Sequence, residues 1–103
     1  MAVGDWQISR VYAELGLPKP SLQFAKSCLA TCKSKGLSWL VPSANEGIAR
    51  AYVAAKDRRK AAKYLDRARK QLERLSIDKE DKLIFLGQIG ETETLARRLP
   101  GGS

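Results

Sequence analysis

The sequence has no histidine, only two cysteines, and no apolar run close to the roughly 20 residues of a membrane-spanning helix. Without histidine, the chain lacks both the commonest general base and the usual partner of a catalytic serine or cysteine. Two cysteines alone fall short of the four ligands that a structural zinc ion takes. The N-terminus also lacks the basic and then apolar pattern of a signal peptide. These absences predict a protein that is not an enzyme and that uses no metal or cofactor.

The chain does contain many charged residues and enough apolar ones for a core. Its 103 residues include 19 Lys or Arg and 11 Asp or Glu, for a formal net charge of +8, and 44 % of them are hydrophobic. This length fits one small domain, which buries about two-thirds of the surface of its unfolded chain. Residues 56–75 alone carry +6 of the net charge. The composition therefore predicts a single basic domain whose charge is concentrated in one segment.

Glycine and proline divide the sequence into segments whose apolar residues recur every three or four positions, as in amphipathic helices. The pattern predicts five helices and no strand: Val3 to Leu17, about Pro20 to Lys35, Ser38 to about Ala55, Asp57 to about Leu75, and a shorter one from Ser76. Ser38 and Asp57 are the expected N-caps, and Pro42 is tolerated because it falls in a first turn. Gly90 is expected to interrupt the fifth helix. The predicted fold class is all-α.

An internal repeat with a period of 40 residues relates the first two helix pairs without a gap. Three aligned pairs are identical, namely Ile8 with Ile48, Arg10 with Arg50, and Tyr12 with Tyr52. In the second helix of each pair the same shift aligns small or apolar residues, as in Ser21 with Ala61, Phe24 with Tyr64, Ala25 with Leu65, and Cys28 with Ala68. A helix pair repeated at such a period is typical of a solenoid, in which each pair buries its face against the next.

The second pair resembles the tetratricopeptide repeat (TPR) family, whose pattern is W-x2-L-G-x2-Y followed by A-x3-F. The L, G and Y positions hold Ile48, Ala49 and Tyr52, and the A and F positions hold Ala61 and Leu65. The first pair has matching residues at Ile8, Ser9, Tyr12, Ser21 and Ala25. The chain departs from the pattern in a period longer than the usual ~34 residues and at the W position, which holds Asp5 and Asn45. The order G-D-W-Q…V-Y-A-E-L-G…A-K-S-C-L is also similar to small bacterial TPR-like proteins.

The resemblance implies a TPR-like α-solenoid of two antiparallel helix pairs with a C-terminal capping helix. One domain is expected over residues 1–99, with unit one at about 3–36, unit two at about 38–75, and the capping helix and tail at about 77–99. Residues 100–103 are expected to be a flexible linker or an added expression tail. The alternative is a plain four- or five-helix bundle made of two αα-hairpins. Because an independent array needs roughly three units, a homodimer is expected to cover one open end.

Side chains capable of catalysis are few. Cys28 and Cys32 lie four residues apart on one predicted helix face, where a disulfide between them would be strained. They are best explained as small core residues, and two free thiols favour the reducing cytoplasm. The carboxylates of Asp5, Glu14 and Glu46 have no candidate nucleophile or phosphate-binding loop beside them. We therefore predict no catalytic residue and no small-molecule substrate.

In TPR proteins the first helix of each pair lines a concave groove that grips peptides, and the resemblance implies such a groove here. Its residues, counted from the tyrosine position, are Trp6, Arg10, Ala13 and Glu14 in unit one and Glu46, Arg50, Val53 and Ala54 in unit two. Because Arg10 and Arg50 are equivalent, they are expected to project side by side and to bind a carboxylate or phosphate. The carboxylate-clamp members of the family use Lys and Asn at positions that this chain lacks. The alternative is ordinary ion pairing with Glu14 and Glu46, one turn away.

The predicted fourth helix carries a stripe of basic residues opposite its apolar face. This basic stripe consists of Arg59, Lys63, Arg67, Lys70 and Arg74. It can neutralise the phosphates of nucleic acid or of an anionic surface, although no aromatic residues are interleaved for stacking on bases. The alternative is a solvated helix face that keeps the protein soluble.

These patterns lead to three functional hypotheses. The first is a non-catalytic module that binds a peptide or partner helix through the groove, and it predicts that Arg50→Glu weakens binding without changing the melting temperature. The second is an electrostatic binder of nucleic acid or anionic surfaces through the basic stripe. The third is a structural or assembly scaffold, natural or engineered.

Overall fold

The computed structural model describes residues 2–99, with side chains from residue 4 onward, and the predicted tail at 100–103 lies outside this range. The predicted all-α class is confirmed, since residues 2–99 form five α-helices and a 3₁₀ turn with no strand. The helices are α1 (Ala2–Glu14), α2 (Pro18–Lys35), α3 (Val41–Ala54), α4 (Arg58–Glu73) and α5 (Lys79–Arg97), and the 3₁₀ turn is Ser38–Leu40. Within this range, no helix has the length and apolar content needed to cross a bilayer.

The turn between α1 and α2 has the same backbone geometry as the turn between α3 and α4. Gly16 and Lys56 both have a left-handed conformation, with φ of 72° and 61°. The next N–H along the chain donates to the carbonyl oxygen of Tyr12 in the first turn and of Tyr52 in the second, at 2.9 and 2.8 Å. Glycine adopts a positive φ freely, whereas lysine does so only at an energetic cost. The 40-residue sequence repeat therefore extends to the backbone of the turns.

The packing inside each hairpin repeats as well. Tyr12 stacks on Phe24 with ring centroids 5.7 Å apart, and Tyr52 stacks on Tyr64 at 5.6 Å. The buried residues of α2 and α4 stand at equivalent positions: Ser21, Ala25, Cys28 and Cys32 in α2, and Ala61, Leu65, Ala68 and Leu72 in α4. The two hairpins are thus copies of one structural unit.

Helix α3 lies at the centre of the molecule and packs against each of the other four helices. All of its residues from Pro42 to Ala51 are buried. Many of them are small, and a Cβ atom at Gly47 would lie 3.2 Å from Cδ1 of Trp6. Ala44 belongs to a core cluster with the two cysteines, and Ala49 belongs to a second cluster shared with α4 and α5. The small side chains of α3 therefore allow two core clusters to meet on one helix.

Helix α5 continues through Gly90 to Arg97, so the predicted interruption is wrong. It packs against α3 and α4, and its buried residues are Ile89, Thr92 and Ala96. A glycine inside a helix costs about 1 kcal/mol relative to alanine. Burying an isoleucine side chain contributes about 1.5–3 kcal/mol, so tertiary packing outweighs the local preference.

The helix boundaries follow the capping prediction at one site and depart from it at another. The predicted N-cap Asp57 is confirmed, because its Oδ1 accepts a hydrogen bond from the N–H of Lys60 at 3.1 Å. Ser38 instead begins the 3₁₀ turn and makes no side-chain capping bond to α3, which begins at Val41. A 3₁₀ turn before a helix supplies backbone hydrogen bonds that a side-chain cap would otherwise make.

Candidate functional site

Five of the eight predicted groove residues line one cleft. This cleft, of about 310 Å³, lies among α1, α3 and α5. Its lining residues are Ala13, Glu14, Arg50, Val53 and Ala54, joined by Leu95 from α5. The walls are therefore mostly apolar, with an arginine and a glutamate as the polar groups. We call this the α1–α3–α5 cleft.

The other three predicted groove residues, Trp6, Arg10 and Glu46, do not line this cleft. Trp6 packs against the core cluster around the two cysteines and is covered on one side by the guanidinium of Arg10, 5.9 Å from its ring centroid. Glu46 is only 1 % exposed and does not line the cleft. The prediction that it lies in the groove is wrong, because α5 packs on the face of α3 that carries it. The sequence predicts α5 as a capping helix at the end of the array and does not indicate that α5 covers this face of α3.

Beneath α5, Glu46 and Arg50 form a buried ion pair. The Nε atom of Arg50 donates to Oε2 of Glu46 at 3.2 Å, and Oγ1 of Thr92 donates to the same oxygen at 3.3 Å. Burial raises the pKa of the Glu46 carboxyl, and the neighbouring Arg50 opposes this increase. Within the part of the chain that the structure describes, Oε1 of Glu46 and Nη2 of Arg50 have no hydrogen-bond partner. Hydrogen bonds thus hold the Oε2 side of Glu46, whereas one polar atom of each residue has no partner among the described residues.

Arg10 and Arg50 approach a single carboxylate at the edge of the α1–α3–α5 cleft. Oε2 of Glu91 lies 3.6 Å from Nη2 of Arg10 and 3.8 Å from Nη2 of Arg50. Arg10 also donates from Nε to Oε1 of Glu14 at 3.3 Å. The ion-pairing alternative that the sequence left open is therefore present, since each arginine has a glutamate one turn away, and the two arginines also share a third glutamate from α5.

Glu91, Thr92 and Leu95 are the site residues that sequence reasoning missed. A shift of 41 residues, one more than the repeat period, aligns Ile48 with Ile89 and Arg50 with Glu91. Such a shift would have placed Glu91 beside Arg50. Besides the isoleucines it aligns only one further identical pair between α3 or its C-cap and α5, Ala55 with Ala96, so the sequence gives only a weak signal for it.

The basic stripe lies exposed on α4, and all five of its side chains are accessible. Lys70 pairs with Asp66 at 3.0 Å, and Arg67 lies over the ring of Tyr64 at 5.0 Å from the centroid. A second cleft, of about 270 Å³, separates α4 from α5 on another side. There Arg69 pairs with Glu93, which neutralises part of its positive charge.

The two cysteines are buried and unpaired. Burial and the neighbouring Cys32 raise the pKa of the Cys28 thiol to about 12, which keeps it protonated and unreactive at neutral pH. Among residues 2–99, no group of three or more Cys, Asp or Glu side chains is arranged to hold a metal ion.

Comparisons with protein-family models, with curated proteins and with solved structures give no match for this chain.

Proposed function

We propose that this protein is a non-catalytic interaction module that binds a peptide or a partner helix in the α1–α3–α5 cleft. The observation that carries the proposal is the convergence of Arg10 and Arg50 on one carboxylate beside a cleft with apolar walls. Apolar walls with a few fixed polar groups are typical of ligand sites. Carboxylate recognition by paired guanidinium groups is strong and directional.

A TPR-like arrangement of the helices is part of the same proposal. Two copies of one hairpin support it, and so does α5, which packs on α3 and α4 as α3 packs on α1 and α2. In such an array the first helices of successive units face the concave side. The α1–α3–α5 cleft would then lie on that side, among the first helices of two units and the capping helix.

The test is to select binders from a random peptide display library with the 103-residue chain and to measure their affinity by calorimetry. Ala54→Trp fills the cleft and is expected to weaken the selected peptides by at least about tenfold. Ala30→Trp, at an exposed position on α2, is the matched control and is expected to leave affinity unchanged. Equal affinities for the two variants, or a library from which no peptide is enriched, would contradict the proposal.

The charge reversal Arg50→Glu is not a clean test of binding. It would place a second carboxylate beside Glu46 in a buried position, so it destabilises the fold. The expectation of an unchanged melting temperature for this variant therefore does not fit the geometry.

The basic stripe supports a second candidate function, the binding of nucleic acid or an anionic surface. Its five cations are exposed, and among residues 2–99 only Lys70 of this set has a carboxylate within ion-pair distance. This function predicts affinity that falls steeply with salt and is lost when Lys63, Arg67 and Lys70 are replaced by alanine. Filter binding of a DNA duplex at low and at physiological salt measures both effects. A scaffold role, including one as a homodimer, is the third candidate and depends on the apolar side chains exposed on α1 and α5.

A further inference from the structure

The carboxylate of Glu91 lies between Arg50, which lines the α1–α3–α5 cleft, and Arg10 without hydrogen bonding to either. Its Oε2 atom is 3.6 Å from Arg10 and 3.8 Å from Arg50. Both distances exceed the 2.7–3.2 Å range of N–H···O hydrogen bonds. The Glu91 side chain is also 63 % exposed. Glu91 therefore neutralises the arginines from a distance, as a loosely held counter-ion.

Arg50 has an unused donor at the same place. Its Nε atom is fixed by Glu46, which Thr92 holds from α5, while its Nη2 atom has no hydrogen-bond partner within the described range. Because the side chain is 7 % exposed, water does not fully replace the missing bond. Arg50 lines the cleft, so a ligand that enters there can supply the acceptor.

We propose that Glu91 is an internal substitute for the ligand and that binding displaces it. This inference rests on the proposed function of the cleft. The ligand carries a carboxylate next to an apolar side chain: the carboxylate takes the place of Glu91 between the arginines, and the apolar group lies against Val53, Ala54 and Leu95. Such a carboxylate is either the C-terminus of a peptide or an acidic side chain within it.

Displacement of Glu91 costs little because the Glu91 side chain is itself exposed and lies beyond hydrogen-bonding distance of both arginines. The incoming carboxylate gains a charge-assisted hydrogen bond from Nη2 of Arg50, which Glu91 does not make. A ligand must therefore bind strongly enough to displace Glu91. Neutral ligands are disfavoured, because they cannot replace the charge of Glu91 beside the arginines.

The experiment titrates the ¹⁵N-labelled 103-residue chain with four small probes and follows amide shifts around Val53 and Leu95. N-acetyl-leucine presents a terminal carboxylate, and N-acetyl-glutamyl-leucinamide presents a side-chain carboxylate. N-acetyl-leucinamide and N-acetyl-glutaminyl-leucinamide are their neutral counterparts. The proteins are the wild type, Glu91→Gln, and Glu80→Gln, which makes the same charge change at an exposed position in the first turn of α5.

The expected result is that at least one carboxylate probe binds Glu91→Gln about three- to tenfold more tightly than the wild type. Its neutral counterpart and the Glu80→Gln protein are expected to show no such gain, and the probe that gains identifies the source of the carboxylate. The proposal is overturned if no probe binds, if the wild type and Glu91→Gln bind equally, or if the neutral probes or Glu80→Gln gain as much. None of these results affects the library test with Ala54→Trp, which decides the proposed function separately.

Discussion

Arg10 and Arg50 are equivalent residues of the repeat in very different surroundings. Arg10 pairs with Glu14 near solvent, whereas Arg50 pairs with Glu46 under α5. An exposed ion pair contributes about 0–1 kcal/mol to stability. Removing one partner of a buried pair costs far more, because the remaining charge stays buried without compensation. One residue type at one repeat position therefore has a surface role in the first hairpin and a structural role in the second.

Replacement of each arginine by methionine measures this difference. We expect Arg50→Met to lower the free energy of unfolding by about 3–5 kcal/mol, because it leaves the Glu46 carboxylate unpaired. The matched change Arg10→Met is expected to cost less than about 1 kcal/mol. Urea unfolding followed by circular dichroism gives both values, and similar losses for the two variants would argue against the burial of Arg50.

Glu46 also gives the stability an unusual dependence on pH. Burial raises its pKa above the ordinary 4.5, so the folded chain holds this proton more tightly than the unfolded chain. The contribution of Glu46 to stability is therefore greatest below pH 4.5 and decreases as pH rises through the folded-state pKa. A carboxylate stabilised by a salt bridge in the folded state shows the opposite sign.

Comparison with Glu46→Gln isolates this effect, because glutamine keeps an acceptor for Arg50 and does not titrate. We expect the wild type to lose stability relative to the variant as pH rises from 4.5 towards 7. Urea unfolding of both proteins across this range tests the sign. A stability difference that stays constant, or that grows in favour of the wild type, would refute the raised pKa.

At the scale of elements, the two hairpin turns have the same backbone conformation but different residues at the left-handed position. The first turn has Gly16 at its left-handed position and the second has Lys56, with φ of 61°. A Cβ atom at Gly16 would meet no other atom within 4 Å, so the left-handed backbone is the main obstacle to a side chain there. The second turn thus holds a conformation for which its residue is poorly suited.

Exchanging the residue types tests this point. Lys56→Gly is expected to stabilise the protein by less than about 1 kcal/mol, and Gly16→Ala to destabilise it by about 1 kcal/mol. Gly87→Ala, in open space within α5, should stabilise by about 0.5–1 kcal/mol because alanine favours helix. Thermal melting of the three variants gives the signs. A stabilising Gly16→Ala would contradict the left-handed turn.

The elements were largely predictable from sequence, whereas the environment of the site was not. Apolar periodicity and the turn residues fix the helices locally, and Asp57 caps α4 as its position predicted. The burial of Glu46 and Arg50 depends on α5, which is far along the chain. A 40-residue shift from Arg50 leads to Gly90 rather than Glu91, so the repeat did not indicate the shared carboxylate. A shift of one residue in the alignment of α5 with α3 decides which side chains meet, and local sequence patterns do not specify this shift.

At the scale of the whole molecule, both ends of the helix array expose apolar side chains. Ile8, Val11 and Leu15 of α1 are 42, 53 and 66 % exposed. Their equivalents on α3 include Ile48 and Ala51, each 1 % exposed, because the other four helices pack against α3. At the other end, Leu83 and Ile84 of α5 are also exposed. The proposed homodimer would cover one of these ends.

Light scattering after size exclusion tests the homodimer. We expect a mass above the 11.4 kDa of one chain at micromolar concentration, and a return to that mass in Val11→Glu if α1 forms the interface. Leu83→Glu is the corresponding change at the α5 end and shows which end associates. A single-chain mass for the wild type would rule out the homodimer at this concentration.

The central position of α3 has a consequence for how such a chain can evolve. In a long repeat array each unit touches only its neighbours, so a unit can be inserted or deleted without disturbing distant ones. Here one helix contacts all four others, and its removal would expose both core clusters at once. We therefore expect a helix to be added more readily before α1 or after α5, where apolar side chains are already exposed, than between them.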